Sequence, residues 1–282
     1  MKKVTDWLLG TTTRLTCDLG NGKSKTGTGF FFNFAAGTES HVPVIVTNRH
    51  VIQGCQGGQF LVTRSDREGR PIAGDFQFSH PFHERDWIQH PDPEIDLAIL
   101  PIGQILEQWE NHGITVLHSQ LTENLIYGCS KVAKLSDIEE ILMIGYPNGI
   151  WDQYHNAPIL RRGITATSVN RPYNNQPFFL IDCACFPGSS GSPVFLYDNG
   201  SYVDENGNTY LASGPRVILL GVLFAGPQHT APGEVQTINI PLAQGPIVLS
   251  QIPNNLGFVI EAKKILDFWV LLGFDQAPRG LC

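Results

Sequence analysis

The sequence predicts an all-β fold, and three observations carry that reading. Short runs rich in β-branched and aromatic residues recur along the 282 residues. Gly (29) and Pro (19) punctuate these runs, as turns between strands require. Only one stretch near the end carries a convincing helical face. In order, Thr12–Cys17 and Gly29–Phe34 come first, with Asn21-Gly22 between them as a hairpin signal. Val44–Thr47, Gln59–Thr63 and Leu97–Ile102 follow, then a short helix over Ile105–Asn111. Ile141–Ile144, Arg162–Val169, Phe178–Cys183, Pro193–Leu196, Val217–Phe224 and Leu256–Ile260 complete the strands. Ala262–Leu272 reads as an α-helix whose Ile265, Leu266, Phe268, Trp269 and Leu272 form one apolar face. Insertions at Tyr197–Gly214 and Pro227–Pro253 exceed ordinary hairpin connections, and such loops commonly carry specificity or gating.

Composition narrows the class. An apolar content of 42% suffices for a substantial core. A net charge of −7 argues against nucleic acid as a partner. No run of about 18 apolar residues offers a membrane span. The chain has no internal repeat and no low-complexity stretch.

The chemistry gathers in three segments: Thr47-Asn-Arg-His50-Val, Asp96-Leu-Ala-Ile-Leu and Gly188-Ser-Ser190-Gly-Ser-Pro193. A serine oxygen is a weak nucleophile at neutral pH, so it needs a base and a group that orients the base. Ser190, His50 and Asp96 supply those parts. The N–H groups of Gly188 and Ser190 are candidate donors to a developing oxyanion, with glycine tolerating the backbone the turn requires. Taken singly, a Gly-Ser-rich run is usually a loop, and a histidine or aspartate beside a strand is usually a solvated polar residue. The joint order His, Asp, Ser favours catalysis. It also excludes the α/β-hydrolase elbow, which needs Gly-x-Ser-x-Gly and a triad running Ser, Asp, His.

The segments resemble the trypsin/chymotrypsin-like serine proteases, more closely the bacterial HtrA-type branch. Gly27-Thr-Gly-Phe30, Thr47-Asn-Arg-His50-Val-Ile52, Asp96-Leu-Ala-Ile99, Gly145-Tyr-Pro-Asn-Gly149, Gly188-Ser-Ser190-Gly-Ser-Pro193 and Asn255-Leu-Gly-Phe-Val-Ile260 recur in the family's order. The resemblance implies two six-stranded antiparallel β-barrels with a C-terminal α-helix: a first barrel over about 10–103, a crossover over about 104–140, a second barrel over about 141–260 and the helix over about 262–272. It implies a serine endopeptidase acting on a protein or peptide through an acyl-enzyme, with His50 and Asp96 from the first barrel and Ser190 from the second. The competing expectation is a catalytically silent adaptor that holds peptides in the same cleft.

The resemblance also implies a primary side-chain pocket with Ala184 at its floor and Phe186, Phe224, Ala225, Gly226 and Leu256 around it, Leu256 intruding. None of these is a carboxylate, so cleavage is expected after small or medium apolar residues. Backbone groups of Ala225 and Gly226 should pair with substrate as an added strand. Ser189 stands where zymogen-derived relatives carry the aspartate that pairs with a new N-terminus, so no N-terminal activation cleavage is expected. With roughly 20 residues after the last strand, the PDZ domain of many HtrA-type relatives is not expected. Regulation would then fall to loops or to a protein encoded nearby.

Cys17, Cys55, Cys129, Cys183, Cys185 and Cys282 are expected as free thiols in a reducing compartment. The opening Met1-Lys-Lys-Val-Thr-Asp-Trp-Leu-Leu is too polar for a secretory core. A cytoplasmic location follows as the expectation. Cys183 and Cys185 with scattered histidines match no zinc cage, and His80, His83 and His90 share no helix face, so neither metal nor cofactor is expected.

Overall fold

The computed structural model describes residues 4–66, 68, 70–72, 77–127, 135–203, 208–226, 228–234, 247–253 and 255–274. A short helix, α1 (Val4–Leu9), leads into β1 (Thr12–Gly20) and β2 (Lys23–Phe34). Asn21 (φ 54°) and Gly22 (φ 72°) both take left-handed backbone between them, as a two-residue hairpin turn requires. Then come β3 (Val42–Thr47), α2 (Arg49–Ile52), β4 (Gly57–Ser65), β5 (Gln77–Phe82), β6 (Ile88–Gln89), β7 (Ala98–Pro101), α3 (Gly103–Asn111) and β8 (Thr115–Leu117). These strands pair in the order β5-β4-β1-β2-β3-β7-β6, with β8 added beside β4. Among the described residues this sheet is not closed by hydrogen bonds. Its outer edges meet through side chains instead: Phe82 of β5 stands edge-on to Trp87, beside β6, with ring centroids 5.3 Å apart. Three strands here escaped the sequence reading. β5 carries His80 and Pro81, and β6 and β8 have only two and three residues.

The second half contains β9 (Glu140–Gly145), β10 (Ile159–Thr165), β11 (Phe178–Asp182), β12 (Pro193–Val203), β13 (Thr209–Ala225), β14 (Gln228–Glu234), β15 (Ile247–Pro253) and β16 (Leu256–Glu261). Six of these close a barrel in the order β10-β11-β16-β13-β12-β9. The expected insertion at Tyr197–Gly214 is mostly a continuation of the β12–β13 ladder, which runs out to Val203 opposite Thr209. Within the second insertion β14 and β15 pair with each other, while 227 and 235–246 lie outside the described residues.

The segment after β16 is helical but not α. Ala262–Phe268 and Val270–Leu272 are 3₁₀ turns. Their three-residue period is the physical reason: it stacks Ala262, Ile265 and Phe268 in one row, and all three are buried.

Strand periodicity explains why the apolar runs are nearly continuous. Along β2, Phe30, Phe32 and Phe34 face the core between the halves, whereas Phe31 faces the first half's own core. Val44 and Val46 divide from Ile45 in the same way, as do Leu97 and Ile99 from Ala98 and Leu100. The shared core also takes Ile144, Phe195, Leu219, Val222 and Ile260 from the second barrel. Each such side chain contributes about 1.5–3 kcal/mol when fully buried. The halves are thereby fixed together, and the functional residues sit along their junction.

Candidate active site

His50 lies on α2, a single turn that leaves β3 at Asn48. Buried Val51 and Ile52 hold that turn against the core. β2 approaches it so closely at Gly27 that a Cβ there would lie 2.4 Å from Val51 Cγ1. Asp96 stands just before β7 between buried Ile95 and Leu97, and its carbonyl accepts from Asn48 Nδ2 at 2.9 Å. Its two carboxylate oxygens divide their work. Oδ1 accepts the His50 backbone N–H at 2.9 Å, and Oδ2 meets His50 Nδ1 at 2.5 Å. The carboxylate thus favours the proton on Nδ1 and leaves Nε2 with its lone pair. Lys25 Nζ donates to the carbonyls of His50 and Gln53 at 2.7 and 2.5 Å, closing the end of α2.

Ser190 lies in the turn between β11 and β12. Gly188 (φ +87°) and Gly191 (φ +87°) are left-handed, and neither has room for a side chain. A Cβ on Gly188 would lie 2.6 Å from the Tyr146 carbonyl oxygen, and one on Gly191 1.9 Å from the Thr28 carbonyl oxygen. Ser189, Gly191 and Ser192 donate their N–H groups to Phe186, Leu223 and Ser189 carbonyls. Among the described residues, the intervening N–H groups of Gly188 and Ser190 donate to no protein acceptor. Two free donors between satisfied neighbours are what oxyanion stabilisation needs.

Thr28, fully buried, connects this turn to the first half. Its N–H donates to the Ser190 carbonyl at 2.9 Å, its hydroxyl to the Gly188 carbonyl at 2.9 Å, and its own carbonyl accepts from Thr47 Oγ1 at 2.7 Å. The sequence alone marks no role for Thr28 or Thr47, although both stand inside the motifs above. Flanking Gly27 and Gly29, and the run into His50, were the only available signals.

His50, Gly188 and Ser190 line one cleft of about 330 Å³ with Lys25, Thr26, Val51, Cys185, Phe186, Pro187, Leu223 and Gly226. Ser190 Oγ sits 3.5 Å from the Phe224 carbonyl. Among the described residues no hydrogen bond joins it to His50. Of the expected pocket residues, Phe186 and Gly226 line the cleft; Ala184 and Leu256 do not. Cys185, next to Ala184, lines the cleft, and Gly257 lies against it: a Cβ there would lie 2.6 Å from Cys185 Sγ. Phe224 instead packs in an aromatic group with Phe178 and Phe258. Ala225 pairs its backbone with Phe258 on β16. Burial pushes the Cys185 thiol up to about 12, so it presents a neutral wall at physiological pH.

Cys17, Cys55, Cys183 and Cys185 are buried free thiols; Cys129 and Cys282 lie outside the described residues. The three upstream histidines are dispersed. His80 packs on Phe60 and Trp109, His83 meets the Gln56 carbonyl, and buried His90 contacts the Lys264 carbonyl and Asp267. Among the described residues no group of three or more His, Cys, Asp or Glu could hold a metal ion.

Comparison with known proteins places these motifs in context. The model of the trypsin-like peptidase domain matches residues 27–203. A probable periplasmic serine endoprotease, DegP-like, from Marinomonas sp. is 28% identical over 220 residues, 77% of this chain and 36% of that protein. The chain therefore spans about a third of that relative's length. Among solved structures, the active form of a protease from M. tuberculosis is 18% identical with a TM-score of 0.46, covering 99% of this chain and 87% of that one. A serine endoprotease from Yersinia pestis is 13% identical with a TM-score of 0.47, covering 96% and 67%.

Proposed function

The chain belongs to the trypsin-like serine peptidase family, and from that premise we propose that it hydrolyses peptide bonds of a protein substrate through Ser190, His50 and Asp96. In this reading His50 Nε2 takes the Ser190 proton as Oγ attacks the carbonyl carbon. Asp96 holds the imidazole and stabilises its cationic form, and the Gly188 and Ser190 N–H groups receive the oxyanion. The imidazolium then protonates the leaving amine, and water releases the acyl group by the same route. The observation that carries this reading is the two-point hold of Asp96 on His50, with its side chain and its backbone both engaged. A histidine fixed so on an exposed cleft beside two free N–H donors is oriented for proton transfer.

Among the described residues the cleft lining contains no carboxylate, and the neutral Cys185 thiol faces it. Cleavage after small or medium apolar residues is therefore proposed, since a buried Lys or Arg would lose hydration with no partner. Hydrolysis of fluorescein-casein, followed by mapping of the cut sites, tests both parts. Wild type should cut mainly after residues such as Ala, Val or Leu, and Ser190→Ala should lose on the order of 10⁴- to 10⁶-fold in turnover. Undiminished hydrolysis by Ser190→Ala removes the assignment, and dominant cleavage after Lys or Arg removes the pocket.

A second reading has one observation in its favour: Ser190 Oγ lies by the Phe224 carbonyl and makes no hydrogen bond to His50. A cleft that only holds peptides would bind casein fragments and cut none. Four buried free thiols support a reducing compartment, the cytoplasm, as the site of action, although the Marinomonas relative is named periplasmic. Control is assigned to loops bordering the cleft or to a regulatory protein encoded nearby, with no role for nucleic acid or membrane.

A further inference from the structure

Gly145-Tyr-Pro-Asn-Gly149 is the quoted motif that the catalytic reading leaves without work, and it packs directly under the nucleophile turn. Leaving β9, the chain buries Tyr146, whose N–H donates to Thr28 Oγ1 at 3.1 Å. The next residues form a tight turn in which Asn148 is left-handed (φ 51°, ψ 25°) and Gly149 follows at φ +69°. That backbone brings the Asn148 N–H to the Pro187 carbonyl at 2.5 Å. Gly188 nests against the same turn: a Cβ on it would lie 2.6 Å from the Tyr146 oxygen and 3.2 Å from the nitrogens of Asn148 and Gly149.

The Pro187 carbonyl and the Gly188 N–H belong to one planar trans peptide and point in opposite directions. Pinning the carbonyl to Asn148 therefore turns the Gly188 N–H away from the turn, and Gly188 borders the cleft. Thr28 fixes the peptide on the other side of Gly188 through its carbonyl. We infer that the Tyr146–Gly149 turn sets the direction of the Gly188 oxyanion donor, and that Asn148 acts in it as a positioning residue through its left-handed backbone. The inference rests on the reading of Gly188 and Ser190 as oxyanion donors. The Asn148 side chain is exposed, and among the described residues it makes no hydrogen bond. Asparagine is thus required there for a backbone conformation it tolerates better than most residues, not for a contact.

That distinction makes a clean test. Asn148→Gly keeps the left-handed backbone accessible, whereas Asn148→Val opposes it with a β-branched side chain. Each variant is assayed on fluorescein-casein and by inhibition with a peptidyl boronic acid, whose tetrahedral adduct uses the oxyanion donors; thermal unfolding verifies the fold. Asn148→Gly should stay within about twofold of wild type in all readouts. Asn148→Val should lose roughly 10- to 100-fold in kcat and in boronate affinity together, with KM within about twofold, because one donor accounts for about 10²- to 10³-fold. Unchanged kcat in Asn148→Val overturns the inference. So does a loss of kcat that Asn148→Gly shares equally or that leaves boronate affinity intact, since the turn would then serve only folding. A wild-type protein that neither cleaves casein nor binds the boronate fails at the earlier step, the reading of Ser190 as a nucleophile.

Discussion

The first half holds His50 and Asp96 with its own parts, whereas the turn carrying the proposed nucleophile, Ser190, in the second half is also held by the first. His50 and Asp96 are joined by a side-chain and a backbone hydrogen bond, steadied by Asn48 and Lys25, and all four residues come from the N-terminal sheet and its connections. Ser190 and Gly188 stand in a turn whose carbonyls are taken by Thr28 of the first half. Its glycines exist because Thr28 and Tyr146 come too near for any side chain. The difference teaches where each half is vulnerable: the proposed base is oriented within one half, whereas the turn of the proposed nucleophile is held both by its own half, through Asn148 and Leu223, and by docking on Thr28.

The largest test of the local side is Asp96→Asn. It preserves shape but donates where it should accept, favouring the wrong histidine tautomer, and should cost roughly 10⁴-fold in turnover with the fold retained. A loss under about tenfold on casein would mean that the Asp96–His50 contact does not orient the base. Gly191→Ala probes the docked side. Its Cβ would meet backbone, the Thr28 carbonyl oxygen, at 1.9 Å, so the turn or β2 must move. Displacements on the order of 1 Å at a reacting group cost about 10²-fold, and this variant should lose that much in kcat while His50 and Asp96 stay in place. NMR of the His50 ring proton bonded to Asp96 is the check. If that signal vanishes as well, the two sides are not separable.

A smaller contrast lies in pH dependence. Burial lowers the pKa of His118, which packs on Phe31 of the first half. A folded pKa below the unfolded one means that the native state resists the proton, so this contribution is full above the ordinary histidine range and declines as pH falls through it. Burial raises the pKa of Glu139, beside the second barrel. Its ionised native form is penalised above the unfolded value, and the penalty fades as pH falls. His118→Gln should therefore flatten the loss of Tm between about pH 7 and 5, while Glu139→Gln should steepen it slightly. The same slope in both variants would remove the contrast.

Much of this was legible in the sequence, for identifiable reasons. Asn21-Gly22 encodes its turn locally, and the catalytic candidates are marked by residue type, order and flanking apolar runs. Thr28 and Thr47 were not legible as positioning residues, because a threonine in a strand looks ordinary until a partner 160 positions away arrives. The part of Cys185 in the cleft lining is not legible, because nothing in the sequence says which way successive side chains of an irregular segment point. The sequence after β16 fits an α-helix because Ile265, Leu266, Phe268 and Trp269 satisfy either period; burial of Ala262, Ile265 and Phe268 in one row decides for the tighter turn.

The most direct test of the central claim, that Ser190 is a nucleophile activated by His50, is stoichiometric reaction with a fluorophosphonate followed by peptide mapping. The account requires one adduct per chain, on Ser190, strongly slowed in His50→Ala and absent in Ser190→Ala. An adduct on another residue, or a Ser190 that stays unlabelled in the folded wild-type protein, would contradict it.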